Sequence, residues 1–269
     1  MKLNKVLDIS LYHEIVDQYG QKGCISNDYI QREVENLVEE GRLYESRLGR
    51  NAFLFVQKPA GLRVYFYLND LNEKADFSDN QNLVIEILYR GEAFFPQELV
   101  SYFESCGFKS NLIRDQYAGM YKDLTAPVPS SDASVHIAKG IDEVRKACLL
   151  FNASFDALSG DYVPDSEYQK LVETNGILIA CTADGAFAGA LHQKVENNVV
   201  WIEHVAVVEQ ARGHHVGQTL LDAFVQQNMT SEKSRYMFWV QHQNLPAVAM
   251  YQKKGFKYIG KSTISLIKQ

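Results

Sequence analysis

Cysteine is scarce in this chain of 269 residues, which contains only four, each far from the others. No two of them form the Cys-x-x-Cys pair of a zinc site, and their spacing is not that of a disulfide-rich secreted domain. The sequence therefore predicts no bound metal and no disulfide framework. It favours a protein that works in the reduced cytoplasm.

Long apolar runs and a surplus of positive charge are also lacking. The longest apolar stretch, residues 199–208, is interrupted by Glu203 and His204, whereas a membrane helix needs about 18 uninterrupted apolar residues. Residues 1–20 lack the apolar core of a signal peptide. The 27 Lys and Arg residues are outnumbered by 33 Asp and Glu residues, for a net charge of −6. We therefore expect neither a membrane nor a nucleic acid as a partner.

The length and the apolar content favour two folded domains. Hydrophobic residues make up 46% and aromatic residues 12% of the chain, which is enough for packed cores. A chain of this length suits two domains of roughly 100–200 residues each. Residues 126–134 contain two prolines and three serines, a composition that interrupts helices and strands. The sequence therefore predicts two domains, residues 1–128 and 134–269, joined by this linker.

The two halves of the chain repeat one order of elements. Each half predicts a helix, a β-hairpin, a further strand, a helix and a Gly-Phe pair. The segment 103–108, Phe-Glu-Ser-Cys-Gly-Phe, aligns with the segment 251–256, Tyr-Gln-Lys-Lys-Gly-Phe. Lys253 and Lys254 of the second segment are expected to be solvated at the end of a helix. The echo favours a duplicated α/β fold with a mixed sheet.

A strand that leads directly into a helix carries the clearest chemical signal. After the apolar residues 202–208 come a tight Arg212-Gly213 turn and an amphipathic helix that extends to residue 227. The first turn of a helix leaves about four N–H groups unpaired and carries a partial positive charge. Such a turn suits a ligand with a diphosphate group. Taken alone, the segment is explained equally well as an ordinary strand-to-helix turn.

A second motif makes the pattern more specific. Residues 244–256, Asn-Leu-Pro-Ala-Val-Ala-Met-Tyr-Gln-Lys-Lys-Gly-Phe, follow after one intervening strand. With this motif, residues 134–269 resemble the GNAT superfamily of N-acetyltransferases. The segment 210–215, Gln-Ala-Arg-Gly-His-His, resembles that family's pyrophosphate loop. The residues that match its second signature motif are Asn244, Ala247, Tyr251, Gly255 and Phe256.

One residue departs from the family's pattern. His215 occupies the position at which the family usually has Gly or Ala, while Gly217 supplies a glycine two residues later. The imidazole would crowd a diphosphate, point away from it or donate a hydrogen bond to it. The departure bears on the expected affinity for the cofactor and not on the expected fold.

The resemblance implies a GNAT-like fold that uses acetyl-CoA, or another acyl-CoA, as co-substrate. Two strands, residues 199–208 and 235–240, would splay apart to admit the pantetheine arm. Backbone groups of the first strand would bind this arm, and the loop after it would bind the pyrophosphate. The implied cofactor-binding residues are Val205, Ala206, Val207, Arg212, Gly213, His214, His215, Val216, Gly217, Asn244, Ala247 and Tyr251.

The resemblance also implies a reaction in which a primary amine attacks the thioester directly. An N–H near Val207 would stabilise the carbonyl oxygen, and Tyr251 would protonate the leaving thiolate, although a tyrosine here also suits core packing. Strand alternation would turn only one of Glu203 and His204 toward the substrate. Glu203 is the preferred general base, because an unpaired carboxylate in an apolar strand is costly. His204 and a water relay without a dedicated base are the alternatives.

The first half lacks the residues that this chemistry requires. It has no Arg-Gly loop, and its counterpart of Tyr251 is Phe103, which cannot donate a proton. We therefore expect a degenerate GNAT-like copy that shapes the acceptor site, mediates dimerisation or stabilises the second half.

The function that the resemblance implies is acetyl transfer to a primary amine of a small molecule or a peptide. The alternative is a non-catalytic acyl-CoA-binding or regulatory module, with His215 as the sign of a drifted site. The expected oligomeric state is a monomer or a homodimer.

Overall fold

The computed structural model describes residues 1–127, 133–160, 162–196 and 199–269. The chain divides into two compact units: unit 1 comprises Met1–Ile113 with Ser262–Gln269, and unit 2 comprises Arg114–Lys261. Residues 128–132 of the expected linker lie outside the described residues. The domains 1–128 and 134–269 therefore remain a sequence-level prediction, whereas the two units are defined by internal packing.

The first half of the chain forms short helices and longer strands. In chain order they are β1 (Asn4–Lys5), α1 (Ile9–Tyr19), β2 (Ile25–Ser26), α2 (Val34–Glu39), β3 (Leu43–Leu48), β4 (Asn51–Lys58), β5 (Gly61–Leu68), β6 (Leu83–Tyr89), α3 (Gln97–Ser105) and β7 (Lys109–Met120).

The second half continues with strands, the longest helices and a long last strand. In chain order they are β8 (Ala133–Ile137), α4 (Ile141–Ser154), α5 (Tyr168–Glu173), β9 (Ile177–Thr182), β10 (Phe187–Glu196), β11 (Val199–Val207), α6 (Val216–Gln227), β12 (Arg235–Gln241), α7 (Leu245–Lys254) and β13 (Lys257–Lys268). Of the helices in the described ranges, none is both long and apolar enough to cross a membrane.

The strands of unit 1 follow the order β1-β3-β4-β5-β6-β13, with β2 paired to β5. Neighbours are antiparallel except β5 and β6, which run parallel from the pair Leu62–Leu83 to the pair Val64–Ile85. The part of β13 that pairs with β6 is Ser262–Lys268. The end of the chain therefore completes the sheet of unit 1.

The sheet of unit 2 repeats this arrangement in the order β7-β12-β11-β10-β9-β8. Its one parallel pair is β11 with β12, and the residues of β7 that pair antiparallel with β12 are Arg114–Met120. In both units a parallel pair lies between antiparallel neighbours. The strand next to the second member of the pair, β13 beside β6 and β7 beside β12, comes from the other half of the sequence. The repeated topology confirms the predicted duplicated α/β fold.

Helices cover both faces of the sheet of unit 2. On one face, α4 and α5 bury a core that includes Phe151 and Ile179. On the other face, α6 and α7 bury a core that includes Leu220, Phe224 and Phe238. The apolar positions of α6 recur every three or four residues, so they form one buried stripe. Each fully buried side chain of this size contributes about 1.5–3 kcal/mol to folding.

Candidate functional site

A gap opens between the two parallel strands of unit 2. Their ladder begins at the pair Val199–Arg235 and ends at the pair Ile202–Phe238, although both strands continue. Beyond this point β11 stays paired with β10 as far as Val207, and β12 stays paired with β7 as far as Gln241. The strands therefore splay apart, as the family resemblance implies.

The register of β11 decides which backbone groups face the gap. The N–H of Val208 donates to Ala188 O at 3.0 Å, and antiparallel strands alternate hydrogen-bonded and non-hydrogen-bonded pairs. Ala206 therefore bonds to β10, whereas Val205 and Val207 turn their N–H and C=O groups toward the gap. Of the three strand residues expected to bind the cofactor, Val205 and Val207 have backbone groups that face the gap, and Ala206 does not.

The strand that carries Glu203 and His204 is not regular, because β11 bulges there. His192 of β10 pairs with His204 and Gln193 pairs with Ile202, so Glu203 is one extra residue of β11 at this point. A bulge of this kind re-aims the side chains on either side of it. Glu203 is exposed and His204 is 6% exposed.

His204 lies in an aromatic cage on the face covered by α4. Its ring centroid is 5.2 Å from that of Phe151 and 5.1 Å from that of Phe155. Its Nδ1 is 3.2 Å from Nδ1 of His192, so one of these two nitrogens carries the proton and donates it to the other. This contact fixes the orientation of the His204 imidazole.

The loop between β11 and α6 leaves the start of the helix open. Gly213 and His215 both adopt left-handed backbone conformations, with φ of 82° and 58°. His215 is the N-cap of α6, and its side chain forms no capping hydrogen bond. Arg212, Gly213, His214 and His215 are all exposed, and a Cβ atom at Gly213 would meet no other atom within 4 Å. The N–H groups of Val216 and Gly217 therefore begin the helix without a side-chain cap.

The α7 motif combines a cap with a buried tyrosine. Asn244 caps α7, since its Oδ1 accepts a hydrogen bond from the N–H of Ala247 at 3.3 Å. The Tyr251 ring is 4.1 Å from that of Phe238 and 6.3 Å from that of Phe256. Desolvation in this core raises the pKa of Tyr251 well above its ordinary value, so the phenol keeps its proton at neutral pH.

Lys254 differs from its sequence-based expectation. Instead of being solvated it is 5% exposed, and its Nζ contacts the carboxylate of Asp222 on α6 and donates to Thr125 O at 2.7 Å. Lys253 is exposed, as expected. The α7 sequence gave no sign of this pair, because Asp222 lies on α6, 32 residues earlier.

Two polar contacts beside the gap were missed by sequence reasoning. The Arg114 guanidinium donates to the carbonyl oxygen of Ser159, and His242 Nδ1 is 2.7 Å from Asp115 Oδ2. Both involve β7, a strand from the other half of the sequence, so no local pattern predicts them. Among the described residues, no three His, Cys, Asp or Glu side chains form a group that could hold a metal ion.

The equivalent gap of unit 1 is occupied by a side chain of the same unit. Asn27 Nδ2 donates to Val64 O on β5 at 3.4 Å and to Glu86 O on β6 at 3.0 Å. Its Oδ1 accepts from the N–H of Phe66 at 2.8 Å. The carboxamide thus bridges the two strands where they diverge. No helix follows β5 among residues 69–82, which agrees with a degenerate copy.

Comparisons with known proteins agree with this geometry. Residues 145–256 match the family model described as the acetyltransferase (GNAT) family. A tandem GNAT protein from the clavulanic acid biosynthesis pathway has a similar structure, with a TM-score of 0.59 and 14% identity over 99% of this chain and 98% of its own. No curated protein is significantly similar to this chain in sequence.

Two solved structures of GCN5-related N-acetyltransferases resemble the chain to a similar degree. A GCN5-related N-acetyltransferase from Sphaerobacter thermophilus has a TM-score of 0.60 and 12% identity, covering 88% of this chain and 85% of its own. Another, from Kribbella flavida, has a TM-score of 0.57 and 14% identity, covering 88% and 92%. At these identities the likeness establishes the fold.

Two mixed sheets, each with a parallel pair that diverges, place the chain in the class of tandem GNAT folds. Within unit 2, residues 145–256 match the model of the GNAT acetyltransferase family.

Proposed function

We propose that unit 2 transfers an acetyl group from acetyl-CoA to a primary amine of a small molecule or a peptide. The observation that carries this proposal is the gap between β11 and β12, which is bordered by backbone groups of Val205 and Val207 and leads to the uncapped start of α6. Pantetheine is an extended chain with amide groups, and such a chain pairs with an open strand edge.

The start of α6 supports the diphosphate end of the same ligand. The N–H groups of Val216 and Gly217 and the partial positive charge of the helix attract an anion. Gly213 leaves the approach to these groups free of a side chain. The exposed Arg212 adds positive charge, and its Nε donates to Val207 O at 3.4 Å, linking the loop to the strand edge.

The chemistry then needs alignment, a stabilised oxygen and two proton transfers. The neutral amine attacks the thioester carbon, a C–N bond forms and the C–S bond breaks. The N–H of Val207 would donate to the oxygen that gains negative charge. The hydroxyl of Tyr251 would give its proton to the departing thiolate, while the attacking nitrogen loses a proton to a base.

We assign the base to His204. Its imidazole is oriented by His192 and by the ring of Phe155, and an imidazole is a suitable base near neutral pH. Glu203, by contrast, is exposed at the bulge. Glu203 and a water relay are the competing assignments, and they are distinguished by variants below.

Two measurements test the proposal. Isothermal titration with acetyl-CoA should give heat, and thiol release should follow when spermidine, glucosamine, kanamycin, lysine or trialanine is added. No heat with acetyl-CoA contradicts the proposal. Heat without thiol release with any of these amines contradicts transfer and favours a non-catalytic acyl-CoA-binding module.

A further inference from the structure

On the α4 face of unit 2, residues 155–159, which follow α4, contact both β11 and β7. Phe155, at the start of this loop, packs against His204 of β11. Four residues later the carbonyl oxygen of Ser159 accepts a hydrogen bond from Arg114 of β7. Since β12 lies between β11 and β7, residues 155–159 make contacts with the strands on either side of β12.

Hydrogen bonds stabilise the turn at residues 156–159 and join α4 to Val163. The Asp156 carboxylate accepts from the N–H and from the hydroxyl of Ser159, both at 2.7 Å. Asn152 and Val163 exchange two further hydrogen bonds, each 3.0 Å long, as a backbone pair would. The loop and the strands beneath it therefore form a fixed frame, which we call the α4-face frame, defined by Phe155, Asp156, Ser159, Arg114 and His204.

Gln116 lies on β7 within the α4-face frame. It is two residues after Arg114, and side chains two apart on a strand share a face. Its partner across the ladder is Trp239, the first residue of β12 beyond the end of the β11 ladder. Gln116 is 4% exposed, and its Oε1 has no hydrogen-bond partner among the described residues.

An unpaired oxygen in this place calls for a donor from outside the protein. A buried amide oxygen without a hydrogen bond loses its hydration without compensation, and nearly all such groups in folded proteins are paired. Here the unpaired atom belongs to the residue paired with Trp239, where β12 leaves the β11 ladder, on the face of the sheet opposite α6. A nitrogen that attacks a thioester in the gap must approach from this face, because the start of α6 lies on the other.

We propose that Gln116 belongs to the acceptor-binding site and that its Oε1 accepts a hydrogen bond from the N–H of the acceptor amine. This inference rests on the proposed acetyl transfer. An amide oxygen orients an N–H without removing its proton, so the nitrogen lone pair stays available for the thioester. An uncharged partner also favours the ammonium form, which cannot attack, less than a carboxylate would.

The test compares Gln116→Met with a matched control, Thr263→Val. Thr263 in unit 1 is also buried, and its Oγ1 also has no partner among the described residues. Neither variant should lower the melting temperature, because each removes an unpaired buried oxygen. With the best amine of the panel above, only Gln116→Met should raise KM, by about tenfold, while the Kd of acetyl-CoA stays unchanged.

A second variant, Gln116→Glu, reports on the proton of the bound amine. A carboxylate beside the amine favours the ammonium form, so the acidic limb of the kcat/KM profile should move to higher pH. A residue with a purely structural role would leave this limb in place.

The outcomes separate this inference from the proposed function. If wild type acetylates an amine but Gln116→Met leaves its KM unchanged, the inference is wrong and the proposed function stands. If Gln116→Met melts well below Thr263→Val, the oxygen was already bonded and the inference is also wrong. If wild type binds no acetyl-CoA or acetylates none of the five amines, the proposed function is wrong, and the inference, which depends on it, is wrong as well.

Discussion

The hydroxyl of Tyr251 is the single group on which the proposed chemical step depends most. Tyr251→Phe should keep the ring contacts with Phe238 and Phe256 and remove only the proton donor. We expect kcat to fall by about 100-fold, the usual scale of general acid catalysis, with the Kd of acetyl-CoA unchanged by titration calorimetry. A variant with unchanged kcat would remove the acid role.

The pH profile of the wild-type protein gives a second view of Tyr251. Burial raises the pKa of the phenol, so the protonated form persists to higher pH than it would in water. We therefore expect no loss of kcat near pH 10, the ordinary range of a tyrosine. Loss of activity there would mean that the active acid is less buried than Tyr251.

Glu203 and His204 are adjacent residues with competing roles, and paired variants separate them. Since His204 is caged and oriented while Glu203 is exposed, His204→Gln should lower kcat by about 100-fold and Glu203→Gln by much less. The measurement is steady-state kinetics with the same amine. A larger loss of kcat in Glu203→Gln than in His204→Gln would identify Glu203 as the base. Small losses in both variants would favour a water relay.

At the scale of elements, the loop before α6 is restricted by His215. A side chain in a left-handed conformation costs about 1–2 kcal/mol, and a glycine there relieves this cost and removes bulk beside the diphosphate site. His215→Gly should therefore tighten acetyl-CoA binding by up to about tenfold, or 1.4 kcal/mol. The control is His214→Gly, at an exposed neighbour without a positive φ. Unchanged binding by His215→Gly would contradict a diphosphate site crowded by His215, whereas weaker binding would mean that the imidazole donates a hydrogen bond to the diphosphate.

Helices α6 and α7 are joined by the buried pair of Asp222 and Lys254. Lys254→Met leaves the Asp222 carboxylate buried without its cation, so the free energy of unfolding should fall by about 3–5 kcal/mol in denaturant titrations. Lys253→Met, at the exposed neighbour, should change it by about 0.5 kcal/mol or less. If the two variants are equally stable, the pair does not hold the helices together.

The elements of the site differ in how far the sequence predicts them. The course of β11 into the turn and α6 follows from the apolar stripe of the helix and the Arg212-Gly213 turn, and it is confirmed. The bulge at Glu203 does not follow, because a single extra residue leaves the composition of the strand unchanged. The buried state of Lys254 also could not be predicted, since it depends on the packing of α7 against α6, which carries Asp222.

At the scale of the whole molecule, the duplication was predictable and the distribution of strands was not. The echo between residues 103–108 and 251–256 reflects a real repeat of sheet topology. That Arg114–Met120 complete the sheet of unit 2 and Ser262–Lys268 that of unit 1 depends on long-range pairing, which no local pattern records. Gln116 was missed for this reason, because it precedes the predicted boundary by more than ten residues.

The two units also explain why only one of them is proposed to bind acetyl-CoA. In unit 1, Asn27 bonds to both diverging strands, so their backbone groups are already paired. In unit 2, the corresponding edge of β11 faces a gap. The two units thus contain similar sheets. They differ in that the Asn27 carboxamide occupies the gap of unit 1, whereas the gap of unit 2 is open.

Amide hydrogen exchange by NMR, with and without acetyl-CoA, tests the central claim most directly. The N–H groups of Val205, Val207, Val216 and Gly217 should exchange more slowly when acetyl-CoA is added, because the ligand becomes their partner. Ala206, already bonded to β10, should not change. If those four amides are unaffected, or if protection appears only in unit 1, the claim that the β11 edge and the start of α6 hold acetyl-CoA is contradicted.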